Sequence, residues 1–278
     1  MIRPRNHIHP GWGYNPETMP RTTASIPLLL LVLMASLMTS GGCSVKSRAD
    51  RQPLTLEGPV SVEVENFAGD VTIRSIDPRT GSTPHVTVTG EALHAINRRG
   101  DAADALESID WHAELEQDDR GPRLVVRVTT DDDEAHILRA HVTVHVLIVD
   151  GTTVRTTRGD VSIDELTGPV DVRTTDGDVE LLSDQPLRDP ISIFTSEGDV
   201  NVRLAPGTSG DFDLHAEHGS VSMKIKSGQM AVAGSTSNDT FFGRLNDGTA
   251  PIIIRTTDGD IRFTVKPNPK KYGLLHLP

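Results

Sequence analysis

The sequence predicts an all-β fold: a β-solenoid of about six short rungs in the C-terminal half, a β-rich N-terminal section, and one or two short helices. Three observations carry this reading. Apolar and polar residues alternate at period two over most of the chain after residue 54, the phrase Thr-Thr-x-Gly-Asp-Val recurs, and its glycines fall at nearly constant spacing.

Residues 1–42 read as a signal peptide. Ile26-Pro-Leu-Leu-Leu-Leu-Val-Leu-Met-Ala-Ser-Leu-Met38 is uncharged, preceded by Arg21 and followed by Ser40-Gly41-Gly42-Cys43. That is the order of a basic n-region, an apolar h-region and a small-residue cleavage zone. A spanning helix needs about 20 apolar residues, and this run is shorter. The segment resembles a bacterial lipoprotein leader, in which the cysteine becomes the acylated first residue, although Ser40 stands where that pattern usually has leucine. The resemblance makes Cys43 the candidate lipid attachment and a membrane the first expected partner; Ser44 is compatible with passage to an outer membrane. Ordinary cleavage near Gly42, leaving a free Cys43, is the alternative. Met19, with Pro-Arg-Thr-Thr-Ala-Ser before the apolar run, is the expected true start.

Residues 43–53 are polar and aperiodic and are expected to form a flexible tether. The repeat domain is expected over residues 54–267, followed by a tail at 268–278. Alternation marks strands at Val60-Ser-Val-Glu-Val64, Val71-Thr-Ile-Arg74, His85-Val-Thr-Val-Thr89, Leu124–Val128 and His141–Val149. Residues 91–108 carry Ala92, Leu93, Ile96, Ala102, Ala105 and Leu106 at roughly helical spacing, interrupted by Gly100. Ile109–Glu116 and Arg123–Thr130 flank Asp118-Asp-Arg-Gly-Pro122, which predicts a hairpin.

The second half is an internal repeat: Thr156-Thr-Arg-Gly-Asp-Val161, Thr174-Thr-Asp-Gly-Asp-Val179 and Thr256-Thr-Asp-Gly-Asp-Ile261, with relatives at Thr195–Val200 and Ala216–Val221. Gly159, Gly177, Gly198 and Gly219 are separated by 18, 21 and 21 residues, and Gly259 follows 40 later, so one further copy is expected in the degenerate stretch Met230–Phe242. Each repeat should form one rung covering its predecessor. On that basis, deleting residues 248–278 should expose the rung that begins near Gly210. Gly58–Ile73 parallels Gly168–Leu181 with two extra residues, so the unit is expected to be continuous and interrupted by residues 80–150.

The phrases Val64-Glu-Asn-Phe-Ala-Gly-Asp-Val71, Thr-Thr-Asp-Gly-Asp-Val and Gly243–Ile261 resemble the bacterial "putative-adhesin" β-solenoid family, a domain of unknown function, over roughly residues 55–267. The resemblance implies a fold and a surface-binding role; it identifies no ligand and supplies no site residues.

The chemistry legible in the residues is sparse. Formal charge is −12; residues 1–42 hold Arg3, Arg5 and Arg21 against Glu17, so the remainder carries −14, which opposes nucleic-acid binding. A single cysteine permits no internal disulfide. Asp160, Asp178, Asp199 and Asp260 would align as a carboxylate ladder able in principle to hold calcium, but the favoured reading is architectural, with glycine supplying positive φ and aspartate capping its own turn. The threonine pairs at 156–157, 174–175 and 256–257 are expected to form a ladder across rungs. Asp131-Asp-Asp-Glu134 reads as a solvated turn, and His141 and His145 as solvent-facing strand residues without a third metal ligand. No phosphate loop, dinucleotide fingerprint or Gly-x-Ser-x-Gly is present. No catalytic, cofactor or metal residue is therefore assigned. The expected function is a non-enzymatic, membrane-tethered protein of the cell envelope that binds an envelope polymer or protein. A β-helical enzyme acting on an envelope polysaccharide is the alternative.

Overall fold

The computed structural model describes residues 43–95, 99–233 and 236–270. In chain order the strands are β1 (Cys43–Pro53), β2 (Pro59–Asn66), β3 (Val71–Ser75), β4 (His85–Ala95), β5 (Ile109–Asp118), β6 (Gly121–Thr130), β7 (Leu138–Val146), β8 (Ile148–Thr156), β9 (Val161–Asp164) and β10 (Leu166–Arg173). They continue with β11 (Val179–Ser183), β12 (Ile191–Glu197), β13 (Val200–Leu204), β14 (Gly210–Ala216), β15 (Val221–Ile225), β16 (Met230–Val232), β17 (Thr240–Leu245), β18 (Pro251–Asp258) and β19 (Ile261–Val265). One helix is described, α1 (Arg99–Glu107).

Two sheets share these strands. One has the order β1-β4-β7-β3-β9-β11-β13-β19-β15, the other β16-β17-β14-β18-β12-β10-β8-β2-β6-β5. Each repeat contributes one strand to each sheet, with a Gly-Asp corner between them that becomes Gly219-Ser220 between β14 and β15. Period-two alternation turns every second side chain inward, as in β2, where Val60, Val62 and Val64 are buried and Glu63 and Glu65 are not. The inward residues of both sheets merge into one apolar core that extends from Val60 to Val265.

The coils do not stack in chain order. Along both sheets the sequence of coils is β6/β7, β2/β3, β8/β9, β10/β11, β12/β13, β18/β19, β14/β15, all joined by parallel pairing. The final repeat is thus inserted between the two that precede it, with Ile191 opposite Ile252 and Phe212 opposite the same residue on the other side. In this position β18 and β19 carry Ile252, Ile254, Ile261, Phe263 and Val265, all at 0% exposure, whereas Val221, Met223 and Ile225 of the terminal strand β15 are only half-buried.

The first coil is inserted likewise, β2 pairing with both β6 and β8. The expected continuity across residues 80–150 is therefore present, and that insertion supplies the coil β6/β7 beyond it. The second half supplies five strand pairs among the described residues rather than six. Met230–Phe242, expected to hold the missing copy, instead contributes the antiparallel pair β16–β17, which caps β14. Val232 and Phe242 there are exposed, at 59% and 39%, as at an edge rather than in an interior rung.

Two further expectations change. Residues 43–53 are strand β1, paired antiparallel with β4 in unbroken register from Cys43 opposite Ala95 to Pro53 opposite His85; the backbone of a polar segment is satisfied by an available sheet edge. Helical spacing from residue 91 is overridden in the same way, since residues up to Ala95 continue β4 and the helix begins only at Arg99. α1 packs Ala102, Ala105 and Leu106 against Ala92 and Leu138 in a small second core. The β5–β6 hairpin forms as expected. At the opposite end β15 is the last strand of its sheet, and Lys224 and Lys226 point outward there, charges that disfavour further strand addition.

Candidate functional site

The recurrent corners are the first candidate. Their glycines form a column: a Cβ at Gly159 would meet Gly69, one at Gly177 would meet Gly159, and one at Gly198 would meet Gly177. Gly259 continues the column from Gly198, and Gly219 lies against Gly259. The aspartates follow the same order. Asp70 Oδ1 accepts the amide of Asp160 at 3.0 Å, Asp160 that of Asp178 at 2.9 Å, Asp178 that of Asp199 at 2.8 Å, Asp199 that of Asp260 at 2.8 Å, and Asp260 that of Ser220 at 2.9 Å. Each carboxylate therefore caps the next coil, not its own turn as the sequence suggested. This satisfies a backbone donor at every corner with a charge-assisted bond.

The second oxygens at one end are also engaged, Arg262 reaching Asp199 and Asp260 at 2.8 Å each. The Ser220 hydroxyl and amide, with a smaller contribution from Arg262, hold the Asp260 carboxyl below the usual carboxylate range. Among the described residues no group of three or more His, Cys, Asp or Glu is placed to hold a metal ion. The first threonine of each phrase is buried, and its hydroxyl donates to a corner carbonyl: Thr156 to Arg158, Thr174 to Asp176, Thr195 to Glu197 and Thr256 to Gly198. Thr195 and Thr256 lie opposite one another across coils.

The histidines of β7 are half-buried rather than freely solvated. His141 sits at the head of the aspartate column, its Nδ1 accepting the Asp70 amide at 3.2 Å and its Nε2 lying 3.4 Å from Glu91. His145 Nδ1 lies 3.0 Å from His85 Nε2, with ring centroids 4.6 Å apart. Burial, then the charges of His85, Arg74 and Arg51, lower the His145 pKa below its ordinary 6.5. A histidine that resists protonation when folded favours the unfolded state once pH drops below the unfolded value, and above that value it has no effect. Melting temperature is therefore expected to fall as pH is lowered below 6.5, and His145→Gln should reduce that fall. A pH–stability profile unchanged by the substitution would contradict this coupling. Asp132 Oδ1 accepts the Glu134 amide at 2.7 Å, so Asp131–Glu134 forms the expected turn.

The second candidate was missed by sequence reasoning. A groove of about 440 Å³ crosses the outer face of the ten-stranded sheet and includes Ser61, Glu63, Thr153, Asp171 and Ser192. The signal was present in Pro59-Val-Ser-Val, Pro169-Val-Asp-Val and Pro190-Ile-Ser-Ile, where proline opens a strand and a polar residue occupies the outward position. Without the stacking order these residues could not be brought together. Cys43, the candidate lipid attachment, is the first residue of β1. No described helix is long and apolar enough to cross a membrane.

Comparison with known proteins agrees with this architecture. A family model, Toastrack DUF4097, matches residues 125–264, about half of the chain. That span begins in β6 and so omits β2/β3, the coil that the structure places second in the same stack. Among solved structures, a "putative cell adhesion protein" from Clostridium sporogenes is similar at 12% identity and a TM-score of 0.52, over 80% of this chain and 100% of that one. A "putative adhesin" from Bacteroides fragilis is similar at 10% identity and a TM-score of 0.31, over 78% of this chain and 97% of that one. No curated protein matches the chain.

Proposed function

The chain belongs to the Toastrack DUF4097 family, and from that footing we propose that it is an exported, membrane-attached binding protein of the cell envelope, without enzymatic activity, held by lipid at Cys43. The carrying observation is how the recurrent acidic residues are used. A catalytic carboxylate needs an environment of its own to shift its pKa, whereas Asp70, Asp160, Asp178, Asp199 and Asp260 share one repeated task, capping the neighbouring coil. The likeness to a structure described as a cell adhesion protein supports a surface role.

With β1 beginning at Cys43 itself, acylation there would hold the sheet edge directly at the bilayer, with no slack between lipid and fold. A single acyl chain binds membranes only marginally, so stable attachment implies several chains. The wild type is expected to partition into detergent, and Cys43→Ala to appear in the aqueous phase or accumulate as precursor. Identical partitioning and processing of the two would remove the lipid from this reading. Retention of envelope polymers or proteins by the full-length protein in detergent tests the binding role, and retention of none would overturn it.

A further inference from the structure

The groove on the ten-stranded sheet has the chemistry of a ligand site. Its volume of about 440 Å³ lies within the usual range for such sites. Its floor is a row in strict register: Glu63 opposite Thr153, Thr153 opposite Asp171, and Asp171 opposite Ser192. Neighbouring strands are about 4.8 Å apart, so carboxylate and hydroxyl alternate at that interval across four strands. The tip of the β5–β6 hairpin, with Arg120 and Pro122, forms part of the lining. Pro59, Pro169 and Pro190 contribute apolar ring surface without backbone donors.

Some bonding capacity here is left over. Asp171 Oδ1 is buried without a hydrogen bond, with Arg173 Nε 3.5 Å away, and Arg123 Nε is buried without one as well. Buried polar atoms are rarely left so without a reason.

The lining also selects the kind of ligand. Glu63, Asp118, Asp150 and Asp171 outnumber Arg120 and Arg123, and Arg123 is already held by Glu116 at 2.5 Å and Glu63 at 3.3 Å. A polyanion would be repelled. A basic peptide would meet its carboxylates interrupted by Thr153 and Ser192. A neutral chain of linked sugars offers what the row asks for: hydroxyls that donate to Glu63 and Asp171, oxygens that accept from Thr153 and Ser192, and C–H faces for the prolines.

We propose that this groove binds a linear neutral oligosaccharide lying across β2, β8, β10 and β12. The assignment rests on the envelope-binding reading and names its ligand class. The test is calorimetric titration of the full-length protein in detergent with linear neutral oligomers of glucose, galactose, mannose and N-acetylglucosamine, beside a uronic acid oligomer and an oligolysine. At least one neutral oligomer is expected to bind, and more tightly than either charged probe. Thr153→Arg, on the groove floor, should weaken it roughly tenfold or more, as filling a central contact does. Ser192→Ala, at the end of the same row and outside the core, should weaken binding while leaving the melting temperature unchanged; a purely structural serine would lose stability with affinity intact. Absence of binding by every neutral oligomer, tighter binding of a charged probe, or affinity indifferent to Thr153→Arg would overturn the assignment. Envelope retention persisting through such a result would leave the broader reading standing; loss of retention as well would end both.

Discussion

Replacing Gly177 by alanine is expected to lower the melting temperature by roughly 10 °C, the equivalent of about 3 kcal/mol for a domain of this size. Two effects coincide at this residue. Its φ of 145° disfavours any side chain, and the added Cβ would be driven into the backbone carbonyl of Gly159, which cannot swing aside. Gly81 separates the two. It too has positive φ, at 76°, but a Cβ there meets nothing within 4 Å, so Gly81→Ala should cost only about 1 kcal/mol. Asp178→Asn keeps an oxygen to accept the Asp199 amide and should cost less still, with little response of melting to calcium or chelator. Equal losses for the two glycine variants would show that the close approach of the column is not limiting. A calcium-dependent rise in melting temperature abolished by Asp178→Asn would show that the aspartate column is a metal site.

Deleting residues 248–278 should abolish the fold, a more severe outcome than the exposed end rung that chain order predicts. The deletion removes β18 and β19 from between β12/β13 and β14/β15, and with them Ile252, Ile254, Ile261, Phe263 and Val265, all fully buried. At about 2 kcal/mol for each large apolar side chain the loss approaches 10 kcal/mol, comparable to the whole stability of an ordinary domain. Open edges would appear on β12, β13, β14 and β15 at once, so the truncated protein should aggregate or show no cooperative melting by circular dichroism. A soluble monomer with unchanged melting would refute the interleaved order.

Much of this molecule is local in origin and could be read without a structure. Val60, Val62 and Val64 or Ile191 and Ile193 announce a strand with one buried face, because side chains in a strand alternate. Asp118–Pro122 announces a hairpin, because its residues suit a tight reversal. The corners at Gly159, Gly177, Gly198 and Gly259 follow from a glycine-dependent turn repeated at regular spacing. β1 escaped the same reasoning because Cys43–Pro53 has no apolar alternation; its strand state comes from an edge of β4 that is far away in the chain.

The sequence by itself determined the all-β class, the strand and corner within each repeat, and the glycine at each repeated corner, since each depends on residues a few positions apart. Only the tertiary structure decided which coil lies beside which. The repeated coils present similar inward apolar edges and similar glycine corners, so local pattern leaves several pairings open. The observed order buries β18/β19 with Phe263 and its isoleucines inside and leaves β15 half-buried at the end. That choice also set Asp178 against the amide of Asp199, and Asp199 against that of Asp260, a corner 61 residues away. By the same kind of insertion, β2 came to lie beside β8, aligning Glu63, Thr153, Asp171 and Ser192 across four strands of one face.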